Sequence, residues 1–118
     1  MTNEFAQMAA DFNARIVELE RIVNPACATV ESHGWIVTYP GSTTAYAFDV
    51  VNKQATNIRV ERCERANRFT KGDAKRVAAD CLDKEGNPLE ARHYRDVCAD
   101  ELHALRDLVA RLEEMAAA

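Results

Sequence analysis

Apolar residues recur at helical spacing near the start of the chain. Thr2 or Asn3 can cap the first turn, because a short polar side chain accepts a hydrogen bond from a terminal backbone N–H group. Asn24-Pro25 ends the pattern, since a residue before proline avoids the helical region. The sequence therefore predicts a first helix over residues 3–23. Its apolar stripe consists of Phe5, Met8, Phe12, Ile16, Leu19 and Val23.

The same spacing returns over the last third of the chain. Asn87-Pro88-Leu89-Glu90 combines a capping residue, a proline at the first helical position and a glutamate at the third. No helix breaker follows, which predicts one helix over residues 88–116, roughly 43 Å long at 1.5 Å per residue. Its apolar stripe consists of Tyr94, Val97, Cys98, Leu102, Leu105, Leu108, Val109, Leu112 and Met115.

The region between these helices is rich in β-branched and aromatic residues, which favour strands. Polar turns containing glycine, proline or asparagine divide it into four segments, and such short connections predict an antiparallel meander. In the third segment Tyr46, Phe48 and Val50 share a face that should pack against helices, while the intervening residues should face solvent or a partner. The predicted strands are residues 27–32, 35–39, 44–51 and 56–62.

A second, shorter helix is predicted after the strands. Thr70-Lys71-Gly72-Asp73 follows a capping-box pattern with aspartate at its last position, and Gly86 ends the helical segment. The next helix should follow at once, so the two should form a hairpin. The predicted order is α-β-β-β-β-α-α. This is an α+β fold with an N-terminal helix, a four-stranded antiparallel meander and a C-terminal helical hairpin, in one domain over residues 1–118.

Composition narrows the class of protein. Of the 118 residues, 47% are apolar and 29% are charged, which is typical of a soluble globular domain. Apolar runs are only a few residues long, too short to span a bilayer. Glu4 and Asp11 precede any arginine, unlike the basic start of a signal peptide. We therefore expect a cytoplasmic protein with no membrane partner.

Residues suited to catalysis or metal binding form no recognised motif. The two serines lie outside any Gly-x-Ser-x-Gly turn, the four glycines do not cluster, and no two cysteines form Cys-x-x-Cys. His103 and Asp107 lie one helical turn apart, which suits either metal ligands or a surface ion pair, and the ion pair is the simpler interpretation. The sequence predicts a protein that is not an enzyme and holds no metal or cofactor. A small hydrolase or transferase with a Cys–His site assembled in space is the enzyme alternative.

Charge is distributed unevenly although the net charge is −4. Between two acidic ends, residues 57–76 hold seven cations against three acids, and these cations form what we term the basic strip. Such a strip can follow the phosphates of a nucleic acid. The alternative is a solvated edge strand in which Glu61 and Glu64 neutralise alternate arginines. This second interpretation is favoured. The basic strip comprises Arg59, Arg62, Arg65, Arg68, Lys71, Lys75 and Arg76, of which the first five are the predicted partner-binding residues.

Two further expectations concern burial and assembly. Trp35 should be largely buried between the sheet and the terminal helices, because so large an aromatic ring is rarely left in water in a monomeric domain. A predicted helix of roughly 43 Å overhangs a domain about 35 Å across, and its apolar stripe then needs a partner. We expect a homodimer, because a two-fold dimer is the commonest symmetric assembly that covers such a stripe. The predicted interface residues are Leu105, Leu108, Leu112 and Met115.

In size, acidity, compactness and lack of a catalytic signature, the chain resembles the small accessory proteins of bacteriophages and mobile elements, anti-CRISPR proteins among them. That resemblance covers general character and implies no site residue. Since no catalytic or ligand motif is present, the sequence favours a non-enzymatic protein that occludes a surface on another macromolecule, and an inhibitor of a bacterial ribonucleoprotein defence complex is the most concrete form of this hypothesis. The alternatives are a nucleic-acid-associated accessory protein that uses the basic strip, or a small dimeric chaperone. An acidic helix face that mimics nucleic acid is less consistent with the arginines interspersed along the last helix.

Overall fold

The computed structural model describes residues 3–23, 33–52, 54–82 and 85–118. It confirms the α+β class, with three helices and a four-stranded antiparallel sheet. The predicted strand at 27–32 lies outside the described residues. In chain order the elements are α1 (Glu4–Val23), β1 (Trp35–Thr38), β2 (Ala45–Val51), β3 (Gln54–Glu61), α2 (Lys71–Asp80), β4 (Glu90–His93) and α3 (Tyr94–Ala117).

The chain packs as two compact units, which we term the helical unit and the sheet unit. The helical unit comprises residues 1–28 and 98–118, and the sheet unit comprises residues 29–97. A single domain over residues 1–118 stays a prediction. None of the described helices is both long and apolar enough to cross a bilayer.

The helical unit is an antiparallel pair made by α1 and most of α3. Asn3 caps α1 as predicted, since its Oδ1 accepts hydrogen bonds from the N–H groups of Phe5 and Ala6 at 3.0 and 3.3 Å. Its Nδ2 donates to the carbonyl oxygen of Ala116, which places the start of α1 beside the end of α3. Farther along, Arg15 donates from Nε to Glu101 at 2.9 Å. These two contacts fix the antiparallel direction of the pair.

The sheet unit contains a sheet with the strand order β3-β2-β1-β4, in which all neighbours are antiparallel. Three of the predicted strands are confirmed, because the bounds of β1, β2 and β3 lie within two residues of the predicted ones and these strands form the meander. Val37 and Phe48 pack on the α2 side of the sheet, as expected. Ala45 and Ala47 on the opposite face are buried too, so the expectation that this face meets solvent is wrong for these residues.

Helix α2 begins where the capping pattern predicts. The Oγ1 atom of Thr70 accepts a hydrogen bond from the N–H group of Asp73 at 3.2 Å. Ala74 and Ala78 are buried on one side of the helix, and small side chains there allow close packing. Leu82 is exposed, because α2 ends at Asp80 before the chain reaches it.

The chain does not enter the predicted helical hairpin after α2. Leu82 and Pro88 form a short antiparallel bridge. The N–H group of Leu89 donates to the carbonyl oxygens of Ala78 and Cys81 at 3.0 and 3.1 Å. Leu89 is thereby held against the end of α2 in an extended conformation, and a helix cannot begin there.

The last strand replaces the first turns of the predicted helix. All four residues of β4 pair with the four residues of β1, from Trp35↔His93 to Thr38↔Glu90. Helix α3 consequently begins at Tyr94, so the predicted start at Pro88 is wrong. The strand also separates α2 from α3, which means that these helices do not form a C-terminal hairpin. The helix of 24 residues is about 36 Å long rather than the expected 43 Å.

The segment after β3 fills a split between β1 and β2. These strands are paired at Thr38↔Ala45 and diverge toward the start of β1. There, Phe69 exchanges two backbone hydrogen bonds with Trp35, at 3.0 and 2.7 Å. Asn67 does the same for β2 with its side chain: Oδ1 accepts from Phe48 N–H at 2.9 Å and Nδ2 donates to Phe48 C=O at 3.1 Å. The segment therefore takes the place of a strand at this point.

Replacing Asn67 with alanine should destabilise the protein by about 1–3 kcal/mol, because both backbone polar groups of Phe48 lose their partners in a partly buried place. Chemical denaturation followed by far-UV circular dichroism measures this change. Asn13→Ala, at an exposed position of α1, is the control and should alter stability by less than about 0.5 kcal/mol. Equal effects of the two replacements would show that the Asn67 side chain does not support the sheet.

Candidate binding surfaces

One candidate surface lies at the edge of the sheet formed by β3. Among the described residues only β2 pairs with β3, and most of its eight residues are exposed. Val60 is 70% exposed, Val50 54% and Ile58 47%, and we term these three residues the β3 edge patch. Val60 lies opposite Tyr46, and Val50 lies opposite Ala55, on the side of the sheet where α2 packs. Helix α2 therefore leaves this apolar part of the face uncovered.

A groove separates the β3 edge from α2. A cavity of about 190 Å³ is lined in part by Val50, Ala55 and Val77. A second cavity of about 270 Å³ continues from Ala55 to Asp80 and Cys81. Asp73 and Arg76, which pair at 3.0 Å, lie at the rim of the first cavity. The groove offers an apolar floor and a polar rim beside an exposed strand.

A β-bulge shapes the β3 edge. Asn57 and Ile58 together oppose Phe48, so β3 carries one extra residue, and Asn57 has a left-handed backbone with φ of 50°. Asp49 fixes the bulge by accepting hydrogen bonds from Asn57 Nδ2 at 3.0 Å and Arg59 at 3.2 Å. These two bonds lower the pKa of the Asp49 carboxyl below its ordinary value, the bond from Asn57 contributing most. Arg59, a member of the basic strip, is thus committed to an ion pair within the sheet.

The basic strip does not form one continuous surface. Arg59 pairs with Asp49 across β2 and β3, where Glu61 had been the expected partner. Arg62 and Arg65 are exposed in the turn that follows β3. Arg68 and Lys71 instead reach a group of aromatic rings. The structure therefore brings the last two predicted binding residues together and separates them from the first.

Six residues form what we term the cation–aromatic cluster. The Cζ atom of Arg68 lies 4.0 Å from the centroid of the Tyr94 ring, and the Nζ atom of Lys71 lies 5.1 Å from the centroid of the Trp35 ring. Both distances are within the range of cation–π attraction. The imidazole of His93 bridges the two rings: it stacks on Tyr94 at 5.1 Å and meets Trp35 edge-on at 5.9 Å. Arg95 completes the cluster, with Nε 3.3 Å from the Tyr94 hydroxyl.

Backbone contacts between three segments assemble this cluster. Trp35 is bonded on one side to Phe69, which positions Arg68, and is paired on the other side with His93. The N–H group of Tyr94 donates to the carbonyl oxygen of Gly34 at 2.8 Å. Gly34 matters because the imidazole lies directly against it, and a Cβ atom there would be 2.3 Å from His93 Nε2. The cluster thus depends on a glycine, a strand pair and the segment that fills the split in the sheet.

Trp35 is half-buried, and its expected burial between the sheet and the terminal helices stays a prediction. Sequence reasoning missed His93 and treated Tyr94 as one more residue of a helix stripe. Both errors follow from the missed strand β4, since a helix starting at Pro88 would not place His93 opposite Trp35. All four residues of β4 are half-buried, and a strand of only four positions without alternating burial gives no pattern that stands out in the sequence.

Two further groups that could carry chemistry are His103 and Cys81. His103 Nε2 and Asp107 Oδ2 are 3.6 Å apart with both side chains exposed, which is the geometry of a surface pair on a helix. Cys81 is a free, buried thiol, and burial together with the charge of Asp80 raises its pKa. A raised pKa keeps the thiol protonated at neutral pH and makes it a poor nucleophile.

The predicted dimer residues divide into buried and exposed positions. Leu112 is 3% exposed and Leu105 is half-buried. Leu108 is 36% exposed and Met115 46%. Exposed apolar side chains of α1 lie in the same half of the helical unit, where Asn3 contacts Ala116. We term this set the hairpin patch, which comprises Phe5, Met8, Leu108 and Met115.

Comparison with protein-family models, with curated proteins and with solved structures finds no match to this chain. The chemistry of the two candidate surfaces and of the hairpin patch is therefore what supports a function.

Proposed function

We propose that the protein is a non-enzymatic binding protein that occludes a surface of another protein, and that it does so by pairing β3 with an extended segment of its partner. The observation that carries this proposal is the β3 edge patch, in which three apolar side chains are about half exposed or more. Exposed apolar groups that cluster on a small domain mark interaction sites.

The backbone of β3 supports the same conclusion. An edge strand presents unpaired N–H and C=O groups that can accept a further strand. Most proteins protect such an edge by keeping it short or by placing free charges on it. Here the edge strand has eight residues, and its one arginine is engaged by Asp49. The bulge at Asn57 is its only described irregularity.

The side chains around the edge indicate what the partner segment looks like. Alternate side chains of an added strand would contact Val60 and Ile58 and extend toward the groove below α2. Arg62 and Arg65 follow the strand and are exposed, which favours acidic side chains in the partner. The partner segment is therefore extended, with apolar residues at alternate positions and acidic residues toward one end.

The identity of the partner is a finer proposal. In its finer form the proposal takes a bacterial ribonucleoprotein defence complex as the target, and a protein subunit of that complex supplies the extended segment. That version gains support from the small size of the chain and from its exposed strand edge.

Selection of twelve-residue peptides from a random displayed library tests strand pairing directly. We expect the enriched peptides to alternate apolar and polar residues, to contain acids and to slow amide hydrogen exchange in β3. Val60→Lys should weaken their binding about tenfold or more, the equivalent of about 1.4 kcal/mol. Val17→Lys is the matched control, because Val17 is 49% exposed on α1 in the helical unit. Peptides that bind the Val60→Lys protein as tightly as the unmodified one would refute the β3 edge as the site.

A homodimer through the hairpin patch is a separate proposal about assembly. In a dimer with two-fold symmetry each chain contributes the same patch to the interface. The four exposed apolar residues of each chain are then buried, which makes eight in the dimer. Light scattering at micromolar concentration should give a mass near twice 13.2 kDa. Replacing Leu108 and Met115 together with glutamate should give a folded monomer. A monomeric mass for the unmodified chain even in concentrated solution would rule the dimer out.

A further inference from the structure

The residues of the cation–aromatic cluster take no part in the proposed strand pairing at β3. Its members come from the start of β1, from the end of the segment before α2 and from the junction of β4 and α3. Chain segments far apart in sequence thus bring three cations to two aromatic rings at one place. Lys75 extends the charge, since it lies one helical turn after Lys71 on α2 and is exposed.

Lys71 and Lys75 differ from Arg59 and Arg76 of the basic strip in how they are paired. Arg59 is paired with Asp49 and Arg76 with Asp73. Among the residues that the structure describes, no carboxylate lies within ion-pair distance of Lys71 or Lys75. The ammonium group of Lys71 instead rests on the face of the Trp35 ring. These cations remain available to an anionic ligand.

Trp35 offers the second half of a binding site. It is half-buried, its position is fixed by backbone bonds to Phe69, and the edge of the His93 ring supports it. A nucleic-acid base stacks on an indole more strongly than an exposed ammonium group does. A base can therefore displace Lys71 from the ring, and the released ammonium group can then bind the adjacent phosphate.

We infer that the cation–aromatic cluster binds single-stranded nucleic acid, with one base stacked on Trp35 and phosphates held by Lys71 and the neighbouring Lys75. A single strand is required, because bases inside a duplex are stacked on each other and do not reach a half-buried ring. Residues 29–97 carry eleven basic and ten acidic side chains, so the sheet unit is nearly neutral. Electrostatic attraction for an anionic strand is therefore confined to the cluster. With about two phosphate contacts, log K should fall with log salt concentration with a slope of about −1.4.

Fluorescence measures this binding at the site itself, because Trp35 is the only tryptophan of the chain. The probes are fluorescein-labelled deoxythymidine and uridine oligomers of about ten nucleotides, a length in the range of common single-strand sites. Inorganic polyphosphate serves as an anionic polymer without bases. We expect one or both oligomers to bind at low salt and to quench Trp35 emission, while polyphosphate leaves the emission nearly unchanged. Preference between the two oligomers would identify DNA or RNA as the ligand.

Two double variants that remove the same charge distinguish binding at the cluster from a general effect of positive charge. Lys71→Gln with Lys75→Gln should weaken oligomer binding about tenfold and flatten the salt dependence. Arg76→Gln with Arg106→Gln removes the same charge from two arginines that are paired with acids, and should have little effect. Trp35→Phe should weaken binding while retaining the fold.

Three results would overturn the inference: absence of oligomer binding at low salt, equal losses in the two double variants, or equal quenching by polyphosphate. Val60→Lys lies outside the cluster and should leave oligomer binding unchanged, so failure of the strand-pairing proposal and failure of this one are distinguishable.

Discussion

Replacing Leu112 with glutamate should unfold the helical unit. Leu112 is 3% exposed in the antiparallel pair of α1 and α3, where Ile16, Leu19 and Val109 are also buried. A carboxylate at this position loses its hydration without gaining a partner, and such a buried charge costs several kcal/mol. We expect a loss on the order of 4 kcal/mol or more, which is comparable with the whole stability of a small domain.

The control for this replacement lies one turn earlier on the same helix. Leu108 is 36% exposed, so a glutamate there keeps its charge in water, and in solutions dilute enough to hold the chain as a monomer Leu108→Glu should change stability by less than about 1 kcal/mol. Chemical denaturation followed by circular dichroism compares the two variants. If Leu112→Glu were as stable as Leu108→Glu, the packing of the helical pair described above would be incorrect.

This contrast shows how far helical periodicity can predict burial. The stripe of nine apolar residues on the last helix was predicted from spacing alone, and six of them are buried. Spacing defines which side of a helix is apolar, but the neighbouring elements decide how much of that side is covered. Leu108 and Met115 lie at the margin of the stripe and remain exposed. Leu112, assigned from the sequence to a dimer interface, is already covered within the described chain.

Local signals predicted α1 and α2 well. The Asn3 cap, the Thr70 cap and the spacing of apolar residues each act within a few residues of the chain, so they survive folding. The helix start at Asn87-Pro88-Leu89-Glu90 was equally well formed in local terms, and it was wrong. Helix capping contributes about 1 kcal/mol. A four-residue ladder with β1 contributes several hydrogen bonds, and no local pattern reveals a partner more than fifty residues away.

The candidate surfaces were predictable only in part. The concentration of cations in residues 57–76 identified Arg68 and Lys71, but it did not predict the pairing of Arg59 with Asp49. Asp49 became the partner of Arg59 because the bulge at Asn57 brings the two together. The aromatic half of the cluster depends on the pairing of β1 with β4. A bulge and a distant strand pair are properties of the folded chain, and composition does not contain them.

Replacing Gly34 with alanine should destabilise the sheet unit by about 1–3 kcal/mol, through overpacking. The added Cβ atom would lie 2.3 Å from His93 Nε2. The imidazole has little freedom to move away, because it stacks on Tyr94, meets Trp35 edge-on and accepts a hydrogen bond at Nδ1 from the N–H group of Arg95. The replacement should therefore also disturb the environment of Trp35 and shift its fluorescence.

Gly72→Ala provides the control for the removal of a glycine. A Cβ atom at Gly72 meets nothing within 4 Å, and alanine favours the helix by up to about 1 kcal/mol, so this variant should be as stable as the unmodified protein or more so. A double-mutant cycle then locates the cause. His93→Ala removes the ring that Gly34→Ala meets, so the two changes together should cost less than the sum of their separate effects. Strictly additive losses would mean that the imidazole does not lie against Gly34, and the geometry of the cation–aromatic cluster would have to be revised.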